Sequence, residues 1–225
     1  MFFYDPTIII LLPALLLALY AQGKVQSTFS KYSKKRSARG VTGKEAATMI
    51  LRSQGIDDVE VFRAGGVLSD HYNPLNKKLF LSEPVYSSDS LAALGVAAHE
   101  VGHAIQDKFN YIPIKIRSVI VPAVSLGSNL AIPLFIFGLI LGIPYLVNLG
   151  IILFSGVVLF HFVTLPVEFD ASRRALKALS DTGILTEYEI DGAKKVLSAA
   201  ALTYIAAALM SILQLLRLII ISRRR

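Results

Sequence analysis

The chain has 225 residues, of which 54% are hydrophobic and only 17% charged, and its mean hydropathy is +0.58. A soluble domain carries about 25% charged residues, so an ordinary soluble globule is excluded; so is a disordered chain, which needs low hydrophobicity and high charge. The net charge is +7, and with no Cys any metal must be held by the four His or by Asp and Glu.

The first apolar block runs from Tyr4 to Ala21, with Pro13 inside it. A bilayer-crossing helix needs roughly 20 mostly apolar residues. A secretory signal would start with a positive segment, and residues 1–23 contain no Lys or Arg. Residues 1–23 are therefore read as a transmembrane anchor. Behind it come Lys24, Lys31, Lys34, Lys35, Arg36 and Arg39. Basic residues collect on the cytoplasmic side of spans, so the N-terminus is expected outside and residues 24–117 in the cytoplasm. The same basic run would suit nucleic acid. It offers only Tyr32 for base stacking and abuts a span, so the lipid bilayer is the simpler partner and no nucleic acid is expected.

Thr42-Gly43-Lys44-Glu45 has the capping-box pattern. It predicts a helix to about Gln54, stopped by Gly55. Asp58–Arg63 alternates charged and apolar residues, as a strand does. Val67–Tyr72 and Lys78–Ser82 are short strand candidates around the turn cluster Asn73-Pro74-Leu75-Asn76. Lys78–Ser82 is expected at a sheet edge, where a peptide substrate adds as a further strand. Ser87-Ser88-Asp89 supplies N-caps for a helix over about 89–109. Together these elements predict a small α+β unit.

That last helix contains His99-Glu100-Val101-Gly102-His103. Residues four apart share a helix face, so two imidazoles can converge on one metal ion. Zinc lowers the pKa of a water it holds to about 7. Glu100, beside the first His, can take that water's proton as the metal polarises a carbonyl. Gly102 lets neighbouring backbone approach, and Ala97, Ala98 and Ala104 keep the helix slim.

Ser118 to Val167 contains no Asp, Glu, Lys or Arg. That is long enough for two spans, read at about 118–141 and 146–165, with the turn near Gly142, Pro144 and Asn148. Residues 118–165 thus form a transmembrane hairpin. Residues 166–197 return to the cytoplasm with Arg173, Arg174, Lys177, Lys194 and Lys195. Residues 198–225 form a last hydrophobic helix and a basic tail, which brings the total to three or four spans.

A catalytic zinc site takes three protein ligands and keeps one position open. The first carboxylates after the hairpin are Glu168 and Asp170, on a helix expected to start after Pro166. Glu168, in its first turn, is the expected third ligand. His161 is the alternative, about 10 Å deeper on a continuous helix. Asp170 is expected to orient other groups or to meet Arg173 or Arg174. His71 is a candidate for positioning substrate or a ligand, and Tyr204 a candidate hydroxyl donor to a developing oxyanion.

Ala97–Gln106, with Leu68–Pro74 before it and Glu168–Ser172 after it, resembles the YugP-type neutral zinc metallopeptidases of bacterial membranes. The likeness covers nearly the whole chain. That family is related to the HtpX-type and CAAX prenyl proteases, which are gluzincins. The resemblance implies a zincin-like domain, Zn2+ held by His99, His103 and Glu168, and Glu100 as general base. In those relatives an Asp follows the Glu by four residues; here that position is Ser172. The expected protein is a mainly α, multi-pass protein of the bacterial plasma membrane. It would be a hydrolase that cuts peptide or protein substrates, unfolded or membrane-bound, at the cytoplasmic face. A non-catalytic zinc-binding scaffold would not need Glu100. A site-2-type intramembrane protease would need an Asp within the spans, and residues 118–167 have none. A transporter would need ionisable groups there, and His161 is all they offer.

Overall fold

The structure, a computed structural model, describes residues 6–66 and 69–223. Tyr4, Val67–Leu68 and Arg224–Arg225, which belong to the expected first span, hairpin strand and basic tail, lie outside the described residues. The protein is mainly helical, with one small sheet. Among the described residues, four helical segments are long and apolar enough to cross a membrane: Pro6–Tyr32, Ile112–Leu141, Pro144–Asp181 and Glu187–Arg223.

The chain divides into two compact units. One comprises the chain up to Ala21, Lys115–Leu165 and the chain from Leu202 onward. Its segments belong to α1 (Leu12–Tyr32), α5 (Ile112–Leu141), α6 (Pro144–Asp181) and α7 (Glu187–Arg223). The α5–α6 turn is made at Gly142, whose φ of +68° disfavours a side chain. Phe135, Val147 and Leu218 form a small core among these helices.

The other unit comprises Gln22–Ile114 and Pro166–Ala201. The capping box forms as expected at the start of α2 (Gly43–Ser53): Thr42 Oγ1 accepts from Glu45 N, and Glu45 Oε2 accepts from Thr42 N at 2.8 Å. Gly55 stops the helix with φ +62°. Three strands follow, β1 (Glu60–Ala64), β2 (His71–Asn73) and β3 (Lys78–Ser82). Their order is β1-β3-β2, with β3 parallel to β1 and antiparallel to β2. Lys78–Ser82 is therefore the central strand, not the expected edge. Its backbone is paired on both sides and cannot receive a further strand, because β1 returns alongside the hairpin.

Leu79 and Leu81 of β3 are fully buried, while Lys78 and Phe80 alternate to the other face. There the rings of His71, Phe80 and Phe62 form one row, at centroid distances of 4.7 and 5.7 Å. After a short helix α3 (Glu83–Tyr86), which the sequence reading did not foresee, α4 spans Leu91–Lys108. Its N-cap is Ser90, not the earlier Ser or Asp: Ser90 Oγ accepts from Ala93 N.

α4 is buried on nearly every side, as suits a helix lined with Ala, Leu and Val all round. The core joins it to Ile50 of α2, Leu81 of β3, Ala175 and Leu179 of α6, and Ala193 and Leu197 of α7. Two further differences follow from this packing. α1 runs on through Lys24 to Tyr32, whose ring is buried in this core. α6 does not start after Pro166 but passes through it. Proline removes one helical hydrogen bond there; Val167, Ala171 and Ala175, all fully buried just beyond it, hold the helix in register.

Candidate metal centre

α4 brings His99 and His103 together, one turn apart on the same face. Their ring centroids are 4.8 Å apart and the rings nearly perpendicular. Gly102 lies between them on the chain, at the crossing with α6. A Cβ there would stand 2.4 Å from the Ala171 carbonyl oxygen, so only glycine allows this approach. The approach brings Glu168, one turn before Ala171 and Ser172, against the two imidazoles.

Glu168 Oε2 lies 3.2 Å from His99 Nε2 and 3.7 Å from His103 Nε2. The ligand atoms of the three residues all lie within 4.8 Å of one another. Around a tetrahedral zinc with bonds of about 2.0–2.1 Å, ligand atoms stand roughly 3.3–3.4 Å apart. The separations observed straddle that value, and two imidazoles with one carboxylate are a donor set zinc accepts. The residues present therefore fit the ion.

The other ring nitrogens are also engaged. His99 Nδ1 is 3.1 Å from Ser172 Oγ, and His103 Nδ1 is 3.0 Å from Gln106 Oε1. Gln106 is fully buried. Its Nε2 donates to the Val167 carbonyl at 2.8 Å and to Asp170 Oδ2 at 3.0 Å. Asp170 in turn accepts from Arg173 and Arg174. Partners of this kind fix ring orientation at metal sites.

Glu100 follows His99 and is 9% exposed. Burial opposes protonation of His103, but hydrogen bonding to Glu168 and the Glu100 and Glu168 charges outweigh it and raise its pKa. His71 is elsewhere: it is exposed, stacked on Phe80, with Nδ1 2.8 Å from the Ser69 carbonyl. Its neighbour Tyr72 points the opposite way and donates to Asp107 of α4 at 2.8 Å. His161 and Tyr204 belong to the other compact unit and are not among the three clustered residues. His161 lies edge-on to Phe160 at 5.7 Å.

The sequence assigned no role to two side chains that meet the imidazoles, Gln106 and Ser172. Gln106 stands three residues after His103 and so shares its face, a signal that was available. Ser172 occupies the place where related enzymes carry Asp, and its hydroxyl reaches His99.

Comparison with known proteins agrees with this chemistry. The profile of a family described as "Putative neutral zinc metallopeptidase" matches residues 7–223. The chain is 48% identical over 214 residues, 95% of each sequence, to the "Putative membrane protease YugP" of Bacillus subtilis (strain 168). No solved structure matches.

Proposed function

As the chain belongs to the family described as neutral zinc metallopeptidases, we propose that it is a membrane-embedded peptidase. It would hydrolyse peptide bonds of unfolded or membrane proteins at the cytoplasmic face of a bacterial plasma membrane. The observation that carries this reading is the convergence of the ligand atoms of His99, His103 and Glu168 within 4.8 Å, with Glu100 next to His99 in the chain and its charge felt at His103.

His99 and His103 would hold zinc through Nε2 and Glu168 through its carboxylate, a gluzincin-like set. The ion would supply Lewis-acid polarisation of the scissile carbonyl and an acidified water. Glu100 would take the proton from the attacking water on its carboxylate and pass it to the departing amine nitrogen. Burial of Glu100 keeps competing bulk water away from that transfer.

The cytoplasmic placement rests on charge. The basic residues from Lys24 to Arg39 and from Arg173 to Lys195 lie in the two segments that build the catalytic unit. The positive-inside rule puts that unit in the cytoplasm and the N-terminus outside. With four crossings Arg223 ends outside, and the two larger inner clusters outweigh it.

The test compares wild type with Glu100→Gln in detergent. The variant is expected to bind zinc as wild type does but to cleave unfolded casein at least about 100-fold more slowly. Equal cleavage by the two proteins would exclude Glu100 as the base.

A further inference from the structure

We infer that Gln106 is a positioning residue that commits His103 to presenting Nε2 to the metal site. The inference rests on the reading of His99, His103 and Glu168 as that site.

An amide side chain has one accepting oxygen and one donating NH2 group. Gln106 meets three partners, and the identity of two decides its orientation. The Val167 carbonyl accepts only. Asp170, a carboxylate paired with the Arg173 and Arg174 guanidinium groups, also accepts only. The NH2 group must face these two. A reversed amide would set Oε1 of this fully buried side chain against two oxygens, at a cost in unpaired polar groups.

Oε1 must therefore face His103 Nδ1, at 3.0 Å. An oxygen there accepts, so Nδ1 carries the hydrogen. In a neutral imidazole the other nitrogen then holds the lone pair. That nitrogen is Nε2, which faces Glu168 Oε2. The relay runs from two arginines through Asp170 and Gln106 to the ring, and the direction of every link is fixed by a group that can only donate or only accept. His99 differs. Its Nδ1 meets the Ser172 hydroxyl, which can donate or accept and so tolerates either arrangement of the ring.

The experiment uses the full chain in detergent, with zinc affinity measured by competition against a chelating dye and thermal stability measured on metal-free protein. Gln106→Met keeps the volume and loses the hydrogen bonds. It is expected to weaken zinc binding by about 10- to 100-fold, the usual effect of losing such a partner, and to melt lower, because His103 Nδ1 and the Val167 carbonyl lose a buried partner. Gln106→Glu keeps an accepting oxygen toward His103 but sets two carboxylates together. It is expected to retain zinc affinity within about threefold and to melt lower. If it does not fold, adding Asp170→Asn removes the repulsion, and the same retention is expected. Wild-type zinc affinity in Gln106→Met, or losses in both variants that simply follow stability, would overturn the inference. A wild-type protein that takes up no zinc would overturn the metal-site reading together with it.

Discussion

Gly102 and Ala171 are so close that a methyl group on the glycine would lie 2.4 Å from the alanine carbonyl oxygen. The contact is backbone against backbone, so no side chain can swing away to relieve it. It sets the spacing of α4 and α6, and therefore of His103 and Glu168. Gly102→Ala is expected to force the helices apart, costing about 1–3 kcal/mol as overpacking does. It should lower the zinc content of purified protein more than a surface Gly→Ala change. A variant with full zinc content and an unchanged melting temperature would contradict this.

Removal of the metal gives a second prediction. A zinc chelator should abolish peptide hydrolysis, and added zinc should restore it. Metal analysis should find about one zinc per chain in wild type and in His161→Ala, but strong depletion in Glu168→Ala. Depletion in His161→Ala alone would assign the third ligand to His161.

The capping box of α2 predicts a pH effect. Hydrogen bonds from the Thr42 backbone and side chain hold the Glu45 carboxyl below its ordinary value of 4.5. Its folded pKa is thus lower than its unfolded one. The stability it adds is complete above the unfolded value and lost as pH falls through the folded one. Glu45→Gln should therefore melt lower than wild type at pH 7, and the gap should close toward pH 3.

Tyr72 offers a spectroscopic test of the hairpin's attachment to α4. Burial, followed by its hydrogen bond to Asp107 and that carboxylate's charge, pushes the phenol pKa far above the ordinary 10. In alkaline absorbance titrations Tyr72 should stay protonated after exposed tyrosines ionise. Asp107→Asn should lower the pH at which Tyr72 ionises, while burial keeps it above the exposed tyrosines. An identical ionisation curve for Tyr72 in the two proteins would mean that Asp107 does not act on this phenol.

Several features needed only local information. Thr42 and Glu45 announce a helix start because the bonds they make lie within one turn. His99 and His103 share a face because four residues nearly complete a turn. The four apolar segments follow from composition and length. Other features depend on partners distant in sequence. Lys78–Ser82 reads as a strand from its residues, but its central place is decided by β1, which pairs with it in parallel. Pro166 locally signals a helix start; burial of Val167, Ala171 and Ala175 against the core carries the helix through it.

What the sequence determined alone was therefore the membrane class, the spans and a pair of imidazoles on one helix face, since each rests on periodicity or on the apolar length of a single segment. The tertiary structure decided which carboxylate meets those imidazoles and which groups hold their far nitrogens. Glu168, Ser172 and Asp170 lie more than sixty residues from the α4 side chains they meet and reach them only because Gly102 lets two backbones touch. Gly102 signals within its own helix that a backbone can approach, but which backbone does so is decided by the packing of α4 on α6.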